Sequence, residues 1–311
     1  MSMQVSFQPT NEASYVDWIT GRRLHEMLFG TLMVFGAIRE NRAELAQLRA
    51  RLLDNPRNSI INIPTIDGLD LEAVLMRAEI QPAKGIIVFT TGLGGCYEKT
   101  AQDNDLAKDL VEFFKSHVGN DLDILVINQR GVCQSEGIPT FRGWEKDVYS
   151  VLKYVQAQGY KRIMHYGHSM GGWTSRNAIR TCKKEARNCK IVEVSDRSFG
   201  DFAQAAKHYC GAGILGNAAY YFTSYCKWQG NVEPKNLNDS RAFVIWAPDD
   251  NFVKKPASLY KSLENNRSFI RAARNEERVF RLPGNVIPHV RAFTPREKSE
   301  LGPRLRKFMG L

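Results

Sequence analysis

Arg162-Ile-Met-His-Tyr-Gly-His-Ser169-Met-Gly-Gly172 is the stretch whose reading decides the fold. A short apolar run ends in Gly-x-Ser-x-Gly, and a helix-compatible segment follows. The pattern describes a sharp strand-to-helix turn that lifts a serine hydroxyl above a sheet. Such a turn forces strained angles on the serine and brings neighbouring elements close, so Gly167 and Gly171 are needed for their missing Cβ atoms. The pattern alone is weak, since glycine usage makes it arise by chance about once in ten chains of this length. Its context has to carry the weight.

The first test is the order of possible partners. Downstream, Arg241-Ala-Phe-Val-Ile-Trp-Ala-Pro-Asp-Asp250-Asn-Phe-Val253 is a buried-strand pattern running into two carboxylates. Arg278-Val-Phe-Arg-Leu-Pro-Gly-Asn-Val-Ile-Pro-His289 is a second short strand, a turn and a histidine. Only His208 and His289 follow the serine, and only His289 also follows an acid at a strand end. The order Ser, acid, His is the one this turn requires. A serine hydroxyl is a poor nucleophile at neutral pH, so His289 would take its proton during attack and return it to the leaving group. Asp250 would set the imidazole tautomer. Asp249 is a rival acid, although the offset from Ala247 and Val253 favours Asp250. His168, beside the serine, is a poor base because at such a turn its side chain points elsewhere.

From about residue 58 onward the chain resembles the α/β hydrolases of the serine-hydrolase superfamily. Gly-His-Ser169-Met-Gly-Gly is a common form of their nucleophile elbow. Val126-Ile-Asn-Gln-Arg-Gly-Val-Cys-Gln-Ser-Glu-Gly137 resembles their Asp-x-Arg-Gly-x-Gly-x-Ser-x-Gly loop, with Asn128 and Cys133 replacing Asp and Gly. Phe89-Thr-Thr-Gly-Leu-Gly-Gly95 resembles their His-Gly-x-x-Gly loop, with Thr91 in place of His. The resemblance implies an oxyanion hole built from the backbone N–H groups of Leu93 and Met170. Each such donor is worth ~3 kcal/mol, because charge develops on the carbonyl oxygen only in the transition state. Two further departures are Ala247-Pro-Asp-Asp250, where Gly-x-x-Asp is usual, and Pro288, where Gly usually precedes the histidine. None of them removes a catalytic group. Asp196-Arg-Ser-Phe199 is similar to a Glu-Asn-Thr-Phe turn of small-cap hydrolases. With the chain length and the added N-terminal helix, it also resembles chlamydial CHLPS-type and Legionella lipase-like effector proteins.

The resemblance and the strand pattern together imply a mostly parallel eight-stranded sheet flanked by helices, with residues 56–311 as the hydrolase domain. Expected strands are Ser59–Pro64, Glu72–Ala78, Gly85–Thr91, Asp123–Asn128, Arg162–Tyr166, Lys190–Val194, Arg241–Ala247 and Arg278–Leu282. Helices are expected at about Lys99–Lys115, Trp144–Gln156, Trp173–Lys183, Pro256–Glu264 and Pro295–Met309. A small helical cap is placed at about 196–239, between strands 6 and 7. Its aromatics include Phe199, Phe202, Tyr209, Tyr221, Phe222 and Trp228. Packing on the sheet is expected for most of them, although an apolar wall would also suit an acyl chain. Residues 1–55 form an N-terminal helical extension. Tyr15 to Leu53 reads helical, and its segment Met27 to Ile38 is too short to span a bilayer. That extension either docks on the core or a neighbouring subunit, or lies on a membrane surface.

Composition narrows the function classes. The chain has 311 residues, 43% of them hydrophobic, and a formal net charge of +10. The positive residues are dispersed and no nucleic-acid-binding motif is present, so nucleic acid is excluded as the expected partner. An anionic lipid or membrane surface suits diffuse basicity better, and solubility alone would explain it equally. The six cysteines show no Cys-x-x-Cys spacing, which argues against zinc and fits free thiols in a reducing compartment. No His-Glu-x-x-His or EF-hand pattern occurs, so neither a catalytic metal nor a cofactor is expected. A convincing signal-peptide cleavage site is also missing. The expected location is the cytoplasm, or a host cytosol reached without a classical leader, with peripheral membrane contact. The expected function is hydrolysis of carboxylic esters or thioesters with an apolar acyl group, through an acyl-enzyme on Ser169. A serine peptidase and a non-catalytic effector scaffold on the same fold are the alternatives.

Overall fold

A computed structural model describes residues 22–37, 41–186, 188–211, 213–226, 242–264, 278–283 and 288–311, together with Phe269 and Arg271. Its centre is an eight-stranded sheet: β1 (Asn58–Pro64), β2 (Asp70–Met76), β3 (Gly85–Thr90), β4 (Leu122–Ile127), β5 (Arg162–His168), β6 (Lys190–Asp196), β7 (Ala242–Trp246) and β8 (Val279–Arg281). The spatial order is β1-β2-β4-β3-β5-β6-β7-β8. β1 pairs antiparallel with β2, and β2 with β4; all later pairs are parallel. Every expected strand is present, with ends displaced by a few residues. Arg241, expected to open β7, lies outside the described residues.

The central strands read as continuous apolar runs because helices cover both faces. Side chains alternate across the sheet, so each strand feeds two cores. Ile87, Phe89, Val126 and Tyr166 enter one core with Phe113, Phe114 and Leu305. Ile86, Val88, Leu125 and Ile163 enter the other with Val148, Leu152 and Ile179. The helices are α1 (Arg22–Ala37), α2 (Arg42–Leu53), α3 (Leu106–Phe113), α4 (Phe141–Ala157), α5 (Met170–Glu185), α6 (Phe202–Tyr209), α7 (Ile214–Tyr225), α8 (Leu259–Leu263) and α9 (Pro295–Met309). α3 and α9 cover the first face; α4 and α5 cover the second. The expected helix Lys99–Lys115 is instead a 3₁₀ turn (Tyr97–Ala101), α3 and a π turn (Phe114–Val118). Asp105 starts α3 by accepting the N–H of Ala107, which separates it from the 3₁₀ turn.

Among its described residues the N-terminal extension holds two helices, where the periodicity suggested one helical segment. Asn41 and Glu44 form a capping box that begins α2, so the helical periodicity restarts there. α2 docks on the core: Leu48 and Leu52 are buried, and Arg49 bonds Glu72 on β2 at 3.0 Å, where Tyr97 also donates to Glu72 at 2.6 Å. α1 packs Phe29 against Phe222 and Phe202 of the cap, at 5.5 and 6.4 Å between ring centres. Residues 1–21 and 38–40, which complete that expected segment, lie outside the described residues. No helix among the described residues is long and apolar enough to cross a membrane.

The cap departs from expectation. α6 and α7 occupy it, and Phe199 is buried against Trp173. Tyr209, Tyr221, Phe222 and Tyr225, however, are exposed rather than packed on the sheet. α7 rests on α6 and α1, a layer away from the strands, and so its outer face meets no core. Trp228 and the rest of 227–239 lie outside the described residues.

Candidate active site

Strand order reverses direction at β3, whose neighbours are β4 on one side and β5 on the other. Ligand crevices form beyond the carboxyl ends of strands at such a switch. Two loops meet there: Thr91–Gly95 after β3 and the turn at Ser169 after β5. Ser169 has φ 50 and ψ −117, a sparsely populated conformation held by its surroundings. Its N–H donates to the Asp196 carbonyl at 2.8 Å, and its carbonyl accepts from Ser198 Oγ at 2.8 Å. A Cβ on Gly171 would sit 2.3 Å from the Thr90 carbonyl oxygen, and one on Gly167 would sit 2.5 Å from the Gly172 backbone. Both glycines are therefore dictated by close approach of backbones.

Ser169, His289 and Asp250 form a hydrogen-bonded chain. His289 Nε2 is 3.0 Å from Ser169 Oγ, and Nδ1 is 2.8 Å from Asp250 Oδ2. A carboxylate only accepts, so Nδ1 carries the proton and Nε2 is left to accept from the serine hydroxyl. Asp250 is itself fixed: its Oδ1 accepts the N–H groups of Phe252 and Val253, each at 2.8 Å. All three groups are buried. Asp249 is exposed, whereas Asp250 is the carboxylate that meets His289. The burial of Asp250 follows from the turn after β7, whose two amides need an acceptor.

Leu93 and Met170 line one cleft of about 310 Å³, open to solvent, with Gly92, Gly94, Gln129 and Val132. Met170 is the first residue of α5, a position whose N–H has no acceptor within the helix. Leu93 follows Gly92 in a tight turn closed by the Gly95 N–H on the Gly92 carbonyl at 3.0 Å, with Gly94 at φ 78. That turn leaves the Leu93 amide unused. A positive helix end and a free amide beside one hydroxyl are suited to a developing oxyanion.

Sequence reasoning missed the support under His289. Asp196 and Arg197, adjacent in the chain at the end of β6, form a fully buried ion pair at 2.7 Å. Arg197 also donates to the carbonyls of Pro288 and Arg291, both at 2.7 Å, and so clamps the loop on either side of His289. Only the resemblance of Asp196–Phe199 to a family turn marked the place. Arg130 plays a similar part elsewhere, bridging Asp67 and the buried Asp147. His168, beside the serine, is tied to the His289 loop. Its Nε2 is 3.1 Å from the His289 carbonyl, an acceptor, so that nitrogen carries the proton.

Burial, aided by Arg197, lowers His168 from the ordinary 6.5 to about 3. Burial, aided by Lys183, does the same to His165, whose Nε2 is 2.9 Å from Thr90 Oγ1. Both are neutral in the native state, while the unfolded chain binds protons below 6.5. Stability is therefore full above pH 6.5 and falls as pH drops towards 3. At pH about 5 the two should together cost about 4 kcal/mol relative to pH about 7.5. Urea unfolding at those two pH values checks this, and equal midpoints would contradict it.

No family model matches the chain, and no curated protein matches it by sequence. Solved structures do match. The esterase Pf2001 of Pyrococcus furiosus is 19% identical, with a TM-score of 0.58 over 81% of this chain and 92% of that one. DcsB in complex with its substrate analogue is 14% identical, with a TM-score of 0.56 over 81% of this chain and 99% of that one. EstE1, a thermophilic carboxylesterase cloned from a metagenomic library, is 13% identical, with a TM-score of 0.52 over 96% of this chain and 97% of that one. With its eight-stranded, mostly parallel sheet flanked by helices, and with these likenesses, the protein has the α/β-hydrolase fold.

Proposed function

We propose that the protein is a serine hydrolase cleaving carboxylic esters or thioesters that carry an apolar acyl group. The Ser169–His289–Asp250 chain at the elbow carries the proposal. Ser169 attacks the acyl carbonyl while His289 takes its proton. The Leu93 and Met170 amides receive the oxyanion, and His289 then protonates the departing alcohol or thiol. Water activated by His289 releases the acyl group in a second round. Two of the three solved relatives named above are themselves described as esterases, which supports the reaction class.

The apolar preference rests on the side chains around the elbow. Val132, Trp144 and Met170 line the cleft and are backed by Phe141, Trp173 and Phe199 of the same apolar cluster. Burying an acyl chain on such a wall gains about 0.8 kcal/mol per CH₂. Access from a lipid surface is the finer reading. Ile214 and Leu215 are 88% and 75% exposed at the start of α7, and Leu24, Leu28 and Leu32 form an exposed stripe on α1. α6 and α7 contain no acidic residue, while Lys207 and Lys254 both lie close enough to act on His208. An apolar face with a basic rim fits peripheral contact with an anionic membrane.

Intact-mass detection of fluorophosphonate labelling tests the core of this proposal. One adduct is expected on the wild type and none on Ser169→Ala or His289→Ala. A folded wild type that takes no label, alone or with anionic vesicles, would leave the non-catalytic scaffold as the better account. Ester turnover raised by those vesicles supports the lipid reading; cleavage confined to peptide substrates would replace it with the peptidase.

A further inference from the structure

Three side chains that the proposed reaction does not use meet beside the cleft. Cys96 directly follows the loop bearing Leu93, Glu98 lies in the 3₁₀ turn after it, and Cys133 sits in the loop after β4. Both sulfur atoms and a Glu98 carboxylate oxygen lie within 4.8 Å of one another. Cys96 and Glu98 are buried and Cys133 is half-buried. A buried carboxylate beside two thiols has little to recommend it as packing. It is nevertheless held deliberately: Asn128 Nδ2 donates to Glu98 Oε2 at 3.0 Å, while Asn128 Oδ1 accepts the Tyr97 N–H at 2.7 Å. The backbone adds a second anomaly. Cys133 adopts φ 51, a conformation that glycine takes freely and a side chain makes costly.

We propose that Cys96, Cys133 and Glu98 bind one zinc-class divalent cation that ties the loop after β3 to the loop after β4. Two thiolates and a carboxylate are a donor set zinc accepts, with a fourth position left for water at the half-buried Cys133 side. A tetrahedral ion at about 2.3 Å from sulfur and 2.0 Å from oxygen holds its ligands roughly 3.5–4 Å apart, so small side-chain rotations close the site. Binding releases two thiol protons: Zn²⁺ replaces one hydrogen on each sulfur, and the carboxylate adds without proton loss. The Asn128 bond orients Glu98 as outer hydrogen bonds orient ligands in metal sites. A bound cation's own charge deprotonates a coordinating thiol, so both sulfurs can bind as thiolates. The role is structural, stiffening the loop that carries Leu93.

Cobalt(II) serves as the probe, titrated without oxygen into the reduced, chelator-stripped full chain. One equivalent should bind with intense thiolate-to-cobalt charge-transfer absorption in the near ultraviolet, and zinc should displace it. Cys133→Gly suits φ 51 and keeps the fold, so loss of those bands with at least about 100-fold weaker binding is expected from it. Glu98→Gln should keep the bands and weaken binding about tenfold or more. A reduced wild type without thiolate bands overturns the assignment. So do bands that persist in Cys133→Gly, which would trace them to other cysteines, such as the exposed Cys210.

Discussion

Asp250→Asn is expected to lower kcat on a short-chain chromogenic ester by about four orders of magnitude, or about 5 kcal/mol of transition-state stabilisation. The fold should survive, because the side-chain oxygen of Asn can still accept the Phe252 and Val253 N–H groups that Oδ1 accepts now. The amide –NH₂ then faces His289 Nδ1, where Oδ2 stood at 2.8 Å. Two donors cannot share that contact, so the imidazole shifts its proton to Nε2. The serine hydroxyl thereby loses its acceptor, and the imidazolium loses its counter-charge. Binding of the ester is untouched, so KM should change little. Asp249→Asn, at an exposed position, should behave as wild type. Near-normal turnover by Asp250→Asn, or an equal loss from Asp249→Asn, would remove Asp250 from the mechanism.

The largest loss of stability is expected from Arg197→Met, at about 3–5 kcal/mol in urea unfolding. The guanidinium is fully buried and answers four demands: both oxygens of Asp196 and the carbonyls of Pro288 and Arg291. Methionine fills similar volume but leaves Asp196 as a buried charge with only the Tyr166 hydroxyl, at 2.9 Å, among these partners. Burying two opposite charges is itself costly, so Asp196→Leu combined with Arg197→Met should recover part of the loss. It should not recover all of it, because the two carbonyls remain without their donor. A single variant within about 1 kcal/mol of wild type, or a double variant no better than the single, would refute this account. The double variant should also turn over ester more slowly than its stability implies, because the His289 loop is no longer clamped.

Much of this molecule was legible in its residues because the signals were local. A buried parallel strand must be apolar on both faces, so Ile86–Phe89 and Ile124–Ile127 announced themselves. Backbones that approach within 2.5 Å of a missing Cβ demand glycine, so the turn at Ser169 carried its own signature. The order of Ser169, Asp250 and His289 along the chain then pointed to three side chains that the structure joins by hydrogen bonds. Asn41 and Glu44 spelled out a capping box that could have divided the N-terminal segment correctly, and the stronger apolar periodicity hid it.

What the residues determined alone was therefore the fold and the three side chains proposed to react, because strand pattern and turn chemistry are local and chain order is read directly from the sequence. Tertiary structure decided the rest. It chose Asp250 over Asp249 by burying one and exposing the other. It turned Asp196 and Arg197, which look like an ordinary charged pair, into the clamp on His289. It gathered Cys96, Glu98 and Cys133 despite a spacing that argued against metal, and it left the aromatic face of α7 outside the core. Each of these outcomes depends on desolvation and on which loops converge at the sheet's end, and both are set only when distant segments pack.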